Sequence, residues 1–195
     1  MSTPHRKRVR HYHEPGDIHE LTFSCYRRMP LLTNNAWRIA LSRSIDAAGA
    51  KTGGQLAAFV YMPEHVHLLV GNFQRAEDVS EYLSLLKQPV SSQAHEDLAR
   101  VGSRLLEKLM VRERPGKTTF RFWQEGPGFD ANFSTAQSVQ NAIDYIHRNP
   151  VERKLAVKAR DWRWSSCRFY ESEGRELDAD LPKVIPLPAE FWSRS

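Results

Sequence analysis

Two histidines one residue apart, His65 and His67, open the apolar run His65-Val66-His67-Leu68-Leu69-Val70. Alternate side chains of an extended strand share a face, so both imidazoles point one way and Val66 points into the opposite layer. Strand geometry sets the rings roughly 7 Å apart, near enough for both to lean onto one ion. The chemistry open to such a pair is metal binding. A His-x-His tripeptide alone is a weak signal, and two histidines on a half-exposed strand need bind nothing. What favours a metal is context: the apolar layer of Leu68 and Val70, a preceding strand, and later polar segments that could supply a third ligand.

The elements that must position this pair follow from periodicity. Leu56 to Tyr61 reads as the preceding strand, joined through the turn Met62-Pro63-Glu64, where Pro63 cannot donate to a ladder. Upstream, Ile18 to Tyr26 alternates, with Ile18, Glu20, Thr22 and Ser24 on one face and His19, Leu21, Phe23 and Cys25 on the other. Asn34 caps a helix from Asn35 to Ala50, and Gly53-Gly54 ends that unit. The order so far is strand, helix, strand, strand. An amphipathic helix runs from Ala76 to Leu86, kinked or ended by Pro89, and a further helix covers Ser91 to Met110. Arg112 to Lys117 is a basic loop, and Thr118 to Trp123 is another strand. The stretch from Gln124 to Phe133 is rich in turn residues. A capping pair, Ser134 and Gln137, opens a helix with the stripe Val139, Ala142, Ile143 and Ile146, which Asn149-Pro150 stops.

The length, 195 residues, fits one domain, divided here into a basic arm (1–17), a body (18–170) and an extended tail (171–195). No run of apolar residues is long enough to span a bilayer and no signal-peptide pattern opens the chain, so the cytoplasm is the expected location. Two cysteines, Cys25 and Cys167, exclude a disulfide scaffold. The net charge is +5, with twenty arginines against eight lysines, and the planar guanidinium fork binds phosphate oxygens in pairs. That bias points to a polyanion. Arg6, Lys7, Arg8 and Arg10 concentrate it in the arm, which reads equally as a solvated tail or a DNA-contacting segment. Trp162 and Trp164 fit core packing better than base stacking.

Five stretches in order carry a specific likeness: Leu21-Thr22-Phe23-Ser24-Cys25-Tyr26, Met62 to Val70, Phe120-Arg121-Phe122-Trp123-Gln124-Glu125-Gly126, Tyr145-Ile146-His147-Arg148-Asn149-Pro150-Val151 and Trp162-Arg163-Trp164-Ser165-Ser166. Together they resemble the IS200-like transposase family, in its branch of REP-associated tyrosine transposases, from about His19 to Tyr170. The resemblance implies an α+β fold with a ferredoxin-like antiparallel sheet and helices packed on it, of the His-hydrophobe-His nuclease type. It implies a homodimer acting on single-stranded or hairpin DNA, with no membrane partner. A divalent metal, Mg²⁺ or Mn²⁺, would sit on His65 and His67, and a tyrosine would attack a phosphodiester to leave a 5′-phosphotyrosine link. Arg27, Arg28, Arg121 and Arg148 join the basic arm as expected DNA contacts.

Where relatives carry the tyrosine in a Gly-Gly-Gly-Tyr-Asp-like sequence, an ungapped alignment sets Gly126-Pro127-Gly128-Phe129-Asp130. Phe129 has no hydroxyl. Either the chain is a cleavage-deficient hairpin binder, with Phe129→Tyr expected to restore cutting, or another tyrosine serves, with Tyr145 nearest and Tyr61 and Tyr82 weaker. The family's third metal ligand follows the tyrosine by about one turn. Asn132 suits that spacing, with Asp130 and Gln124 as fallbacks, although each could equally be a cap or turn residue. Lys154 stands where relatives commonly place a glycine, so a local difference is expected there. A third reading, a metal-dependent hydrolase unrelated to DNA, rests on His65 and His67 alone.

Overall fold

Alternation in the first apolar run builds the centre of the sheet. The computed structural model of the chain describes residues 17–126, 128–176 and 178–193. β1 (Ile18–Ser24) is followed by α1 (Asn35–Thr52), β2 (Gln55–Tyr61), β3 (His65–Gly71) and α2 (Ala76–Arg100). Then come α3 (Arg104–Leu109), β4 (Met110–Arg114), β5 (Lys117–Phe120), β6 (Phe129–Phe133) and α4 (Ala136–Glu152). The main sheet has the order β2-β3-β1-β6, every pair antiparallel. Leaving out α3, the separate β4-β5 hairpin and the following α4, this is the strand-helix-strand-strand-helix-strand cycle of a ferredoxin-like α+β fold.

The alternation sorts the core into two layers. Leu21, Phe23, Phe59, Tyr61, Val66, Leu68 and Val70 meet α1 and α2 on one face. Ile18, Val60 and Leu69 meet Val139, Ala142, Ile143 and Ile146 of α4 on the other. Asn34 caps α1 as expected, its Oδ1 accepting from the Ala36 amide at 2.9 Å. The segments after α4 seal the β2 edge: the Tyr61 amide donates to Trp164 O at 2.8 Å, Ser166 N to Phe59 O at 3.0 Å and Ile185 N to Leu56 O at 2.8 Å. Chain beyond Glu171 therefore returns to the body, and Phe191 is buried against the α4 layer.

Four expectations are corrected. α2 continues through Pro89 to Arg100 instead of breaking. An interior proline costs roughly 3 kcal/mol, but Val79, Tyr82, Leu83, Leu86, Val90, Ala94 and Leu98 are all buried along one stripe. At roughly 1.5–3 kcal/mol for a fully buried large apolar side chain, that stripe outweighs the proline. α4 likewise carries Pro150 inside its last turn and ends at Glu152. The basic loop is the tip of the β4-β5 hairpin, turned at Gly116 with φ 78°. The turn-rich stretch contains β6, which pairs with β1 from Ile18↔Phe133 to Thr22↔Phe129. Among the described residues, no helix is long and apolar enough to cross a membrane.

Two predictions follow from local strain. Lys154 adopts the left-handed conformation, φ 58°, just past α4. That conformation costs an L-residue roughly 1–2 kcal/mol, partly offset by glycine's extra unfolded-state entropy. Lys154→Gly is expected to stabilise the protein by about 0.5–1 kcal/mol in urea unfolding. Lys87 lies with its ammonium 4.6 Å from the Phe23 ring centroid, and burial pushes it down to about 8. Between that value and the unfolded lysine's 10.5 the unfolded chain holds the extra proton, so stability contributed by this group rises with pH across the window and is missing below it. Lys87→Met is expected to raise stability at pH 7 by roughly 2 kcal/mol and to remove that rise in unfolding curves from pH 7 to 10.5.

Candidate active site

His65 and His67 are the first and third residues of β3, on the face turned toward α4. Each has a carboxylate behind it. His65 Nδ1 lies 3.1 Å from Glu64 Oε1, and His67 Nδ1 lies 3.1 Å from Glu20 Oε1 and 2.9 Å from Thr22 Oγ1. Glu20 and Thr22 belong to β1, whose register sets Thr22 directly across from His67. All four His and Glu side chains are buried. Carboxylates at Nδ1 hold the ring proton there, which leaves the Nε2 lone pairs as the free donors. Those two Nε2 atoms face each other at 3.1 Å.

Two lone pairs so placed repel unless a cation stands between them. Two nitrogens each about 2.1 Å from one ion, subtending about 90–110°, would stand roughly 3.0–3.4 Å apart. The donor set therefore fits a divalent ion. Burial, and then the neighbouring charge of His67, push His65 down to about 4 against the opposing pull of Glu64, so at neutral pH it is already in the ligating form. Among the described residues, no three His, Cys, Asp or Glu side chains gather around an ion.

One stripe of helix α4 borders the pair. Tyr145, Asn149 and Arg153 follow each other at four-residue spacing and so share a side of the helix. The Tyr145 ring stands edge-on to His67 with centroids 5.6 Å apart, and Arg153 Nη2 reaches Glu64 Oε1 at 2.9 Å. Asn149, buried between them, offers a carboxamide oxygen of the kind hard cations accept. Tyr145 itself is 43% exposed, so the phenol sits at the mouth of a site whose floor is buried.

The other expected residues are placed differently. Phe129 is exposed on the same face, but on β6 across from Thr22, two strands from His67 and thus roughly 10 Å away. Asp130 and Asn132 point to the opposite face. There Asp130 Oδ1 meets His19 Nδ1 at 3.0 Å and Asn132 Nδ2 donates to Asp17 Oδ2 at 3.1 Å, so neither is brought to the His65–His67 pair. Gln124 accepts from the Arg27 amide at 3.1 Å. Tyr61 and Tyr82 are fully buried.

Of the basic residues, Arg28 reaches Glu64 at 3.2 Å and borders the site, and Arg27 lies over the Tyr26 ring. Arg148 is largely exposed. Arg121 is taken up by Glu113 and Glu125. Arg6, Lys7, Arg8 and Arg10 lie outside the described residues. Sequence reasoning missed Glu20, Asn149 and Arg153. The helical spacing from Tyr145 would have found the last two.

A βαββαβ topology, with two inward histidines on its third strand, defines a ferredoxin-like α+β protein. No protein-family model matches the chain, and no curated protein does. Among solved structures it is similar to a REP-associated tyrosine transposase bound to a REP hairpin, with a TM-score of 0.58 and 18% identity over 97% of this chain and 96% of that one. That likeness establishes a shared fold. A proposed transposase from Deinococcus radiodurans R1 aligns with a TM-score of 0.42 and 16% identity over 74% of this chain and 97% of that one.

Isothermal titration with Mn²⁺ checks the donor set. His65→Ala and His67→Ala are each expected to abolish measurable binding, and Glu20→Gln and Glu64→Gln to weaken it by about 10–100-fold.

Proposed function

We propose that this protein is a transposase-like enzyme that binds single-stranded or hairpin DNA and cuts and rejoins it through Tyr145. His65 and His67 would hold Mg²⁺ or Mn²⁺, with Asn149 as a third ligand. The observation that carries the reading is the Tyr145 ring against His67 at 5.6 Å, where a phenol can approach a phosphate lying over the two imidazoles. The fold shared with a hairpin-bound tyrosine transposase supports the choice of substrate. So does the arginine excess.

When bound, the ion would polarise the scissile phosphate and neutralise charge developing on it. The chain's own residues do the rest. Tyr145 Oη forms a bond to phosphorus as the bond from phosphorus to the 3′-oxygen breaks. The phenol loses its proton, the departing 3′-oxygen gains one, and the 5′-phosphate remains esterified to the tyrosine. Reversal by another 3′-hydroxyl rejoins the strand. Glu20, Thr22 and Glu64 fix the imidazoles, while Arg28 and Arg153, paired with Glu64 at its rim, would meet the approaching backbone. A homodimer belongs to the same reading; among the described residues β6 is the outermost strand of the sheet on the side away from β2. The alternative, a hairpin binder that does not cut, rests on Phe129 standing in the glycine-rich stretch.

Incubation with a labelled single-stranded hairpin and Mn²⁺ separates the two. The wild-type chain is expected to form a covalent protein–DNA adduct, Tyr145→Phe to form none while still binding the hairpin, and Phe129→Tyr to leave the yield unchanged. An adduct that survives Tyr145→Phe would move the nucleophile elsewhere. Salt-sensitive binding with no adduct in the wild type would establish the binder.

A further inference from the structure

Helix α4 presents Tyr145 and Asn149 along one margin of its buried face and His147 along the other. Successive residues are about 100° apart around a helix, so the Tyr145 and His147 side chains diverge by about 160°. Between them Val139, Ala142, Ile143 and Ile146 lie on the sheet. Those contacts are apolar and non-directional, so they restrain rotation of the helix about its own axis less specifically than buried hydrogen bonds do. At the Tyr145 margin the one polar tie in that stripe with a charged partner is Arg153 to Glu64, and the arginine side chain is 50% exposed, which makes the tie weak.

His147 is different in kind. Its Nε2 lies 2.8 Å from Ser166 Oγ, and both residues are buried. Ser166 Oγ in turn lies 3.0 Å from the Phe59 amide and 3.3 Å from the Phe59 carbonyl. One hydroxyl proton satisfies this set: Ser166 donates to Phe59 O while its oxygen accepts from Phe59 N–H and from His147 Nε2–H. The His147 ring also packs on Tyr170 at 5.4 Å, and the Tyr170 hydroxyl donates to Ala57 O at 2.9 Å. Two links, one buried through Ser166 and one part-buried through Tyr170, thus run from one ring to the backbone of β2.

We propose that His147 and Ser166 are positioning residues that stop α4 from rolling, and so hold the Tyr145 hydroxyl over the His65–His67 pair. The inference rests on Tyr145 as the nucleophile. A roll of about 10° moves a phenol oxygen roughly 8 Å from the helix axis by about 1.4 Å, and an error of about 1 Å in a reacting group can cost about 10²-fold in rate. Both residues are buried against β2, at the margin of α4 away from Tyr145. Their removal therefore acts on the chemical step alone.

The test measures single-turnover adduct formation and hairpin affinity for His147→Ala, Ser166→Ala, the double variant and His147→Gln, whose amide nitrogen can replace Nε2 as donor. Adduct rates are expected to fall about 10–100-fold in both single alanine variants, with hairpin Kd within twofold of wild type. The double variant should be no slower than the slower single, and His147→Gln should recover most of the rate. Rates within twofold of wild type, affinity falling in step with rate, or a glutamine variant as slow as alanine would each overturn the proposal. A 3-fluorotyrosine placed at position 145 gives a readout that needs no activity. Its fluorine resonance should shift in His147→Ala and Ser166→Ala and return in His147→Gln. An unmoved resonance overturns the roll stop. A wild-type chain that forms no adduct overturns the role of Tyr145, and the resonance then judges the roll stop by itself.

Discussion

Two imidazole nitrogens held face to face at 3.1 Å are the constraint on which this molecule is organised. Buried carboxylates at the other ring nitrogens set the two Nε2 lone pairs toward each other, an arrangement suited to a shared cation. Each carboxylate comes from a different place: Glu64 from the turn before β3, Glu20 from the neighbouring strand. The pairing of β1 with β3 is therefore part of the site. A slip of one residue would turn Glu20 and Thr22 to the far layer and leave His67 without its partners.

That dependence explains how much could be read in advance. The His65–Val66–His67 alternation, the faces of β1 and the capped start of α1 rest on short-range periodicity, and they stand as read. β6 was hidden because its five residues sit among glycines and turn formers. Its strand character comes from β1, which already has its edge waiting. α2 and α4 outlast their prolines because burial of a long stripe is a tertiary gain that local rules do not count. The third-ligand candidates Asp130 and Asn132 were placed by distance along the chain from Phe129. Pairing with β1 assigns both to the other face. Asn149 and Arg153 share a visible helical spacing with Tyr145, but only the packing of α4 on the sheet brings that spacing over the histidines.

The two faces of the sheet divide the work. Against α1 and α2 lies a continuous apolar layer rich in large rings, which supplies most of the stability. Against α4 the apolar layer is smaller and gives way at one end to histidine, glutamate, threonine and asparagine. Polar groups are tolerated there because each has a partner within the layer, and because the mouth is open at Tyr145.

The margins of the sheet are unequal as well. Chain around Trp164, Ser166 and Ile185 occupies the hydrogen-bonding groups along β2, whereas among the described residues no strand lies outside β6. Growth by strand addition is thereby blocked along β2. Copies that joined by strand addition would instead meet β6 to β6, a self-complementary contact about a twofold axis. Such an assembly terminates at two, so the capped β2 border is also a guard against open-ended stacking into fibres.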